Sequence, residues 1–346
     1  MKKIVLLLLA LFLGSFAAES YAVSEAGVLF LMISPGARAA GMGEAFVAIA
    51  DDASAVYWNP AGLAFQTGRE ITLMHTNWLP QFDSDLYFDF LAYRQNFEGL
   101  GVVGVNVTYL NLGEQTRTDE TGNELGTFNS HEFAITAAFG TRISENMSVG
   151  IGLRFIRSSL SDVGAGSEKG DGKANAFAVD LGWLYKASFV RGLSFGANLS
   201  NLGPKITYID AAQASPLPTN LKVGVAYKVL DSEFNRLTVA VDFNKLLVVV
   251  HKDERPPDPF YKAIFTSWKE DGLKDMIYGA GVEYWYSNLI ALRTGYHVDN
   301  EGKVNYATFG FGIKYSLYRF DFAYIATGDE GHPLSGTSRF ALTIGF

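Results

Sequence analysis

Along most of this chain apolar residues fall on every second position, and a period of two means strands with one apolar face. Between Ser148 and Phe155, Val149, Ile151, Leu153 and Phe155 are apolar, while Ser148, Gly150, Gly152 and Arg154 face the other way. The pattern returns as Val103, Val105, Val107, Tyr109 against Gly104, Asn106, Thr108, and as Phe177, Val179, Leu181, Trp183, Tyr185 against Ala178, Asp180, Gly182. Leu221, Val223, Val225, Tyr227 oppose Lys222, Gly224, Ala226, and Leu237, Val239, Val241, Phe243 oppose Thr238, Ala240, Asp242. Near the end, Tyr318, Phe320, Phe322, Tyr324 oppose Arg319, Asp321, Ala323. The polar faces are mostly Gly, Ala, Ser and Thr with sparse charge, which suits a narrow lumen filled by a plug better than a wide aqueous pore.

Strands are predicted near 69-78, 84-94, 99-110, 128-141, 145-158, 174-187, 190-202, 217-228, 235-249, 276-287, 289-297, 304-316, 317-326 and 337-346. Tight turns alternate with long connections at 111-127, 159-173, 203-216, 250-275 and 327-336, the layout of a bacterial outer-membrane barrel. Aromatic residues at 14% and 36 glycines fit interfacial girdles and closely packed strands. The expected fold is an all-β, 14-stranded antiparallel transmembrane barrel over 67-346, with the long connections outside the cell and outer-membrane lipid around it. The final strand alternates to Phe346, an ending that resembles the signal by which barrel-assembly machinery recognises its clients.

The N-terminal fifth differs. Met1-Lys2-Lys3, an apolar run from Ile4 to Leu13 and the small residues around Ser20-Tyr21-Ala22 read as a secretory signal peptide over 1-22, with cleavage after Ala18 as a second choice. The apolar run falls well short of the ~20 residues of a spanning helix. Residues 23-66 do not alternate. The small residues around Arg38, Gly41 and Gly43, then Asp51, Asp52, Asn59, Pro60 and Gly62, predict a compact hatch inside the lumen. Asp51 or Asp52 is expected to cap a short helix over Ala53 to Trp58, and Pro60, with Asn59 as its cap, to start another turn. Gly41-Met42-Gly43 lacks the third glycine and the βα context of a dinucleotide site.

These N-terminal residues also carry a resemblance. Ala37-Arg38-Ala39-Ala40-Gly41-Met42-Gly43-Glu44, Asp51-Asp52-Ala53-Ser54-Ala55 and Trp58-Asn59-Pro60-Ala61-Gly62-Leu63-Ala64 together resemble the opening signature of the PorV/PorQ family of outer-membrane barrels. The intact Ala-Arg-Ala-Ala-Gly-Met-Gly run leans toward the PorV branch, while Asn59-Pro60-Ala61-Gly62-Leu63 is shared with FadL-like barrels at large. The resemblance implies a FadL-like barrel serving type IX secretion as an adaptor or shuttle. Its partners would be the translocon, the attachment complex and secreted proteins with C-terminal β-domains. The other job it allows is transport of long-chain fatty acids or other hydrophobic solutes through the lumen.

Two groups of side chains stand out beyond the motif. Glu283, Arg293, Lys314, Arg319, Asp321 and Arg339 fall on the polar faces of late strands and are expected to form lumenal ion pairs that hold the hatch. Phe260, Tyr261, Phe265 and Trp268, in the longest connection, form an aromatic cluster suited to extracellular docking of a protein partner, and equally to covering the barrel mouth or sitting in the lipid headgroups. Five scattered histidines and no cysteine give no basis for a catalytic centre, a metal or a cofactor, and a net charge of -8 argues against nucleic acid.

Overall fold

The computed structural model describes residues 26–82, 85–119, 121–161, 171–210, 213–251, 255–270, 272–273, 275–300, 302–328 and 331–346. The expected signal peptide and the Gly-rich stretch 162–170 lie outside the described residues. Fourteen strands form one closed barrel. They are β1 (Arg69–Asn77), β2 (Tyr87–Phe97), β3 (Gly101–Thr118), β4 (Glu124–Arg142), β5 (Met147–Ser159), β6 (Lys173–Lys186) and β7 (Leu193–Leu202), followed by β8 (Asn220–Asp231), β9 (Asn235–Leu246), β10 (Ile277–Tyr286), β11 (Ile290–Asp299), β12 (Val304–Tyr315), β13 (Tyr318–Thr327) and β14 (Ser338–Gly345). Each pairs antiparallel with its sequence neighbour, and β1 pairs with β14 to close the ring. At the seam Arg69 and Phe346 exchange backbone hydrogen bonds of 2.8 and 2.9 Å, so the terminal Phe346 completes the last rung.

Alternation sorts the two faces as the sequence pattern requires. Phe177 is 66% exposed on the outside of β6, whereas its neighbours Ala176 and Ala178 are about 5% and 4% exposed within. A barrel satisfies every strand's backbone groups without an edge, which is what a hydrocarbon environment demands.

Two connections differ from expectation. The stretch 111–127 is not a long loop, because β3 and β4 continue past the barrel rim and pair as Glu114↔Asn129, Gln115↔Phe128 and Thr116↔Thr127. A register shift between Asn111 and Glu114 separates this polar extension from the barrel portion. Polar side chains stop a strand from facing lipid but do nothing to prevent ladder formation in water. At its tip, the Asp119 carboxylate accepts four hydrogen bonds from Thr121 and Asn123, at 2.7 to 2.9 Å. The connection 247–276 likewise contains a helix at Phe260–Glu270.

The N-terminal segment lies in the lumen. It comprises a 3-10 turn at Leu29–Met32, α1 (Ala37–Ala40), α2 (Ala55–Trp58) and a second 3-10 turn at Pro60–Phe65; the helix at Phe260–Glu270 is α3. Ala37, Met42, Phe46, Val56 and Trp58 are fully buried. The helix near Trp58 is shorter than expected because Asp52 spends its Oδ1 on Ser54, accepting from its backbone N at 3.0 Å and its hydroxyl at 2.5 Å, before the first helical turn. Asn59 takes the role expected of it, accepting from Ala61 N at 3.1 Å with Pro60 as the first residue of the turn.

Candidate functional site

The candidate site is the contact between this lumenal segment and the barrel wall. Close approach comes first, and glycine permits it. A Cβ on Gly281 of β10 would stand 2.2 Å from Met42 O, and one on Gly295 of β11 would stand 2.1 Å from Gly43 N. Gly281 and Gly295 are register partners, so the two strands open one notch for the Met42-Gly43 backbone. Gly140, Gly150 and Gly182 are aligned across β4, β5 and β6 and make a second notch against Asn59, Pro60 and Ala61. Gly43 itself adopts φ +62°, a conformation glycine takes at little cost, and donates to Thr308 Oγ1 at 3.0 Å.

Polar groups then fix the segment's position. Arg38 makes a two-pronged contact with Glu283, Nε and Nη2 each 2.8 Å from a carboxylate oxygen. Its Nη1 lies 2.5 Å from Asp51 and 3.2 Å from Asp52. Arg293 donates to the same Glu283 from Nε at 2.7 Å, and its Nη1 stands 2.9 Å from Asp321 Oδ1 in ion-pair rather than hydrogen-bond geometry. Arg319 joins Asp321 at 2.7 Å to Asp52 at 3.1 Å. On the other side of the segment, Arg339 donates to Ser34 O and lies 3.5 Å from Glu44, whose carboxylate also accepts from Tyr306 at 3.1 Å.

Of the sequence-predicted lumenal charges, Glu283, Arg293, Arg319 and Asp321 are thus brought together around Arg38, Asp51 and Asp52, while Arg339 joins Ser34 and Glu44 instead. Lys314 is not brought in: it stands exposed near the tight-turn end of β12. Gly41 packs on Gly310 and Arg293, and Gly62 on the backbone of Ala50, where an added Cβ would lie 2.2 Å from its carbonyl oxygen.

Several anchors were not singled out from sequence. Asp242 of β9 accepts from Phe46 N and Val47 N at 2.7 and 2.8 Å, holding a bend of the segment through its backbone. Glu70 accepts from Ala53 N at 2.6 Å. Lys222 lies 4.4 Å from the ring centre of Trp58, a cation-π contact at a buried site. Arg154, Asp180 and Asn201 make a separate buried cluster, with Arg154 Nη2 2.6 Å from Asp180 Oδ2 and Asn201 N 2.8 Å from Asp180 Oδ1. The signal available for Asp242, Asp180, Arg154 and Lys222 was a charge on the polar face of an alternating strand.

The aromatic cluster of the 247–276 connection lies on α3. Phe260 is half-buried against Tyr261, with ring centres 5.6 Å apart, while Tyr261, Phe265 and Trp268 are exposed. The helix is tied at its start by Asp258, which accepts from Lys262 at 2.7 Å, Thr266 at 2.8 Å and His251 at 3.0 Å.

Residues 16–253 match the family described as "Type IX secretion system protein PorV". Among solved structures the chain is similar to the Ralstonia pickettii toluene transporter TbuX, at TM-score 0.55 and 13% identity, covering 90% of this chain and 98% of that one. It is also similar to the Pseudomonas putida toluene transporter TodX, at TM-score 0.53 and 13% identity over 90% and 99% of the two chains. A Pseudomonas aeruginosa FadL homologue matches at TM-score 0.52 and 11% identity over 89% and 97%. At such identities the shared property is the FadL-like outer-membrane barrel fold. No curated protein matches the sequence.

Proposed function

The chain belongs to the PorV family of type IX secretion system proteins, and from that premise we propose that it is an outer-membrane adaptor, receiving secreted proteins with C-terminal β-domains from the translocon and delivering them to the surface attachment complex. The family and fold are those of a secretion or transport barrel rather than an enzyme. The observation that favours the adaptor reading is the fixity of the lumenal segment. Backbone sits against backbone at the Gly281–Gly295 notch, and buried charges of segment and wall neutralise one another at Glu283, Asp52 and Asp321. A segment held this way acts as a hatch that keeps the lumen closed, and the work of the protein falls to its outward surfaces. Transport of a hydrophobic solute would require the hatch to leave its notches and strand several desolvated charges, each costing several kcal/mol.

The test is quantitative proteomics of medium, cell surface and periplasm from a deletion strain beside its parent. Proteins with type IX C-terminal domains should accumulate in the periplasm or disappear from the surface. An unchanged distribution with reduced uptake of a labelled fatty acid would replace the adaptor reading by the transport one.

A further inference from the structure

One face of α3 carries an exposed aromatic stripe. Tyr261, Phe265 and Trp268 follow i, i+4, i+7 spacing and therefore lie on one helix face, opposite the buried Ala263 and Ser267. Tyr261 is 64% and Phe265 71% exposed. Lys262 and Lys269, seven residues apart, flank that stripe on one side and are also exposed. The position of the helix follows from Lys245. In β9 the lumen-facing series runs through Ala240, Asp242 and Asn244, which gives Lys245 the outward parity of Val241 and Phe243, one step above the Phe243–Tyr278 ring pair. An outward lysine at a barrel rim would ordinarily be bare, yet this side chain is only 1% exposed. It is covered from outside the barrel: its ammonium pairs with Asp275 and lies 5.3 Å from the ring centre of Trp268. So α3 drapes over the outer rim of the wall, directly above the lipid-facing aromatic belt, rather than over the mouth.

We propose that α3 is an interfacial anchor whose Tyr261, Phe265 and Trp268 sit in the outer-leaflet headgroup layer while Lys269 reaches its anionic groups. The occupant of the stripe is then the membrane surface. Three aromatic side chains on one face of a helix with lysines alongside is the composition of a helix lying in a membrane interface, and it continues the girdle formed lower down by Phe243 and Tyr278. Of the three settings the sequence left open for these aromatics, protein docking, the barrel mouth and the lipid headgroups, the place of α3 favours the last, a lipid contact that fixes the tilt and rotation of the long connection over β9 and β10.

The natural absence of cysteine allows a direct test. Phe265→Cys and, as a site on the far hairpin tip, Gly122→Cys are each labelled with bimane in the full-length barrel, reconstituted in vesicles of phosphatidylglycerol and phosphatidylcholine. Lipids with a nitroxide at the headgroup or deep in the acyl chain serve as quenchers. The label at residue 265 should be blue-shifted and quenched several-fold more by the headgroup nitroxide than the label at 122, with Lys269→Glu reducing that quenching in the anionic vesicles. Equal, weak quenching at the two positions overturns it. A label at 265 that is unquenched by lipid but becomes protected when a type IX client protein is added overturns it in favour of a protein-docking face.

Discussion

Glu283 is the carboxylate on which the lumenal charge converges, since it accepts from Arg38 of the segment and from Arg293 of the neighbouring strand while only 3% of its side chain is exposed. Glu283→Gln keeps the shape and removes the charge that two buried guanidiniums require. Breaking a buried pair in this way costs about 3–5 kcal/mol, whereas replacing both partners by apolar residues of similar volume costs much less. In detergent, the Glu283→Gln barrel should therefore unfold at lower urea than the parent, its unfolding free energy reduced by about 3–5 kcal/mol, and Arg38→Met/Glu283→Met should recover part of the loss. A Glu283→Gln barrel as stable as its parent would remove the network from the list of what holds the segment. At this scale the sequence was informative about one half of each contact. Glu283, Arg293, Arg319 and Asp321 were legible because a charge on the polar face of an alternating strand has nowhere to point but inward. That Glu283 meets Arg38 was not, because the pair spans 245 residues and no local pattern records which lumenal charge faces which turn of the segment. Lys314 shares the parity of its neighbours and still stands exposed at the strand end, because parity gives a face but not a depth.

Elements in the barrel wall were easier to read than elements outside it. Lipid on one side and a packed segment on the other force strict alternation, so all fourteen strands were located and, apart from the β3 end at Thr118, bounded within a few residues. Above the rim both faces meet water, the alternation fades, and the β3–β4 extension and α3 escaped notice. For α3 the interactions at its start are local and electrostatic. Burial works against charge on Asp258, but hydrogen bonds from Lys262, His251 and Thr266 outweigh it and hold the carboxyl at about 2. Because the folded value is below the ordinary carboxylate value, the contribution of Asp258 is fully present above about pH 4 and is lost as pH falls through about 2. The bimane-labelled Phe265→Cys barrel in detergent should accordingly keep its anisotropy from pH 5 to near pH 3 and lose it around pH 2. With Asp258→Asn the label should be loose across that whole range, so that the two proteins become alike only at the acid end. Parallel curves with a constant offset, or a transition near pH 4 in the parent, would mean that other contacts hold the helix start.

For the molecule as a whole, the adaptor and transport readings differ in whether the hatch must move. The glycine notches and the charge network make the resting position deep, but depth alone does not say whether the working cycle leaves it. A covalent lock separates the two. Val56 of α2 and Gly104 of β3 approach so closely that a Cβ on residue 104 would stand 2.4 Å from Val56 Cγ2, and with no native cysteine to compete, Val56→Cys/Gly104→Cys is the pair to close. Folding and bond formation are checked first, by heat-modifiable gel mobility and by the absence of free thiol. If clients are handled on the outward surfaces, the oxidised, locked barrel should restore surface display of type IX proteins in the deletion strain to the level of the parent barrel, and reduction should change nothing. Transport through the lumen predicts the opposite: a locked barrel that folds and inserts but supports no function until the bond is reduced. A lumen packed with so much buried charge and so many backbone-to-backbone contacts is costly to open, and for that reason the locked barrel is expected to work.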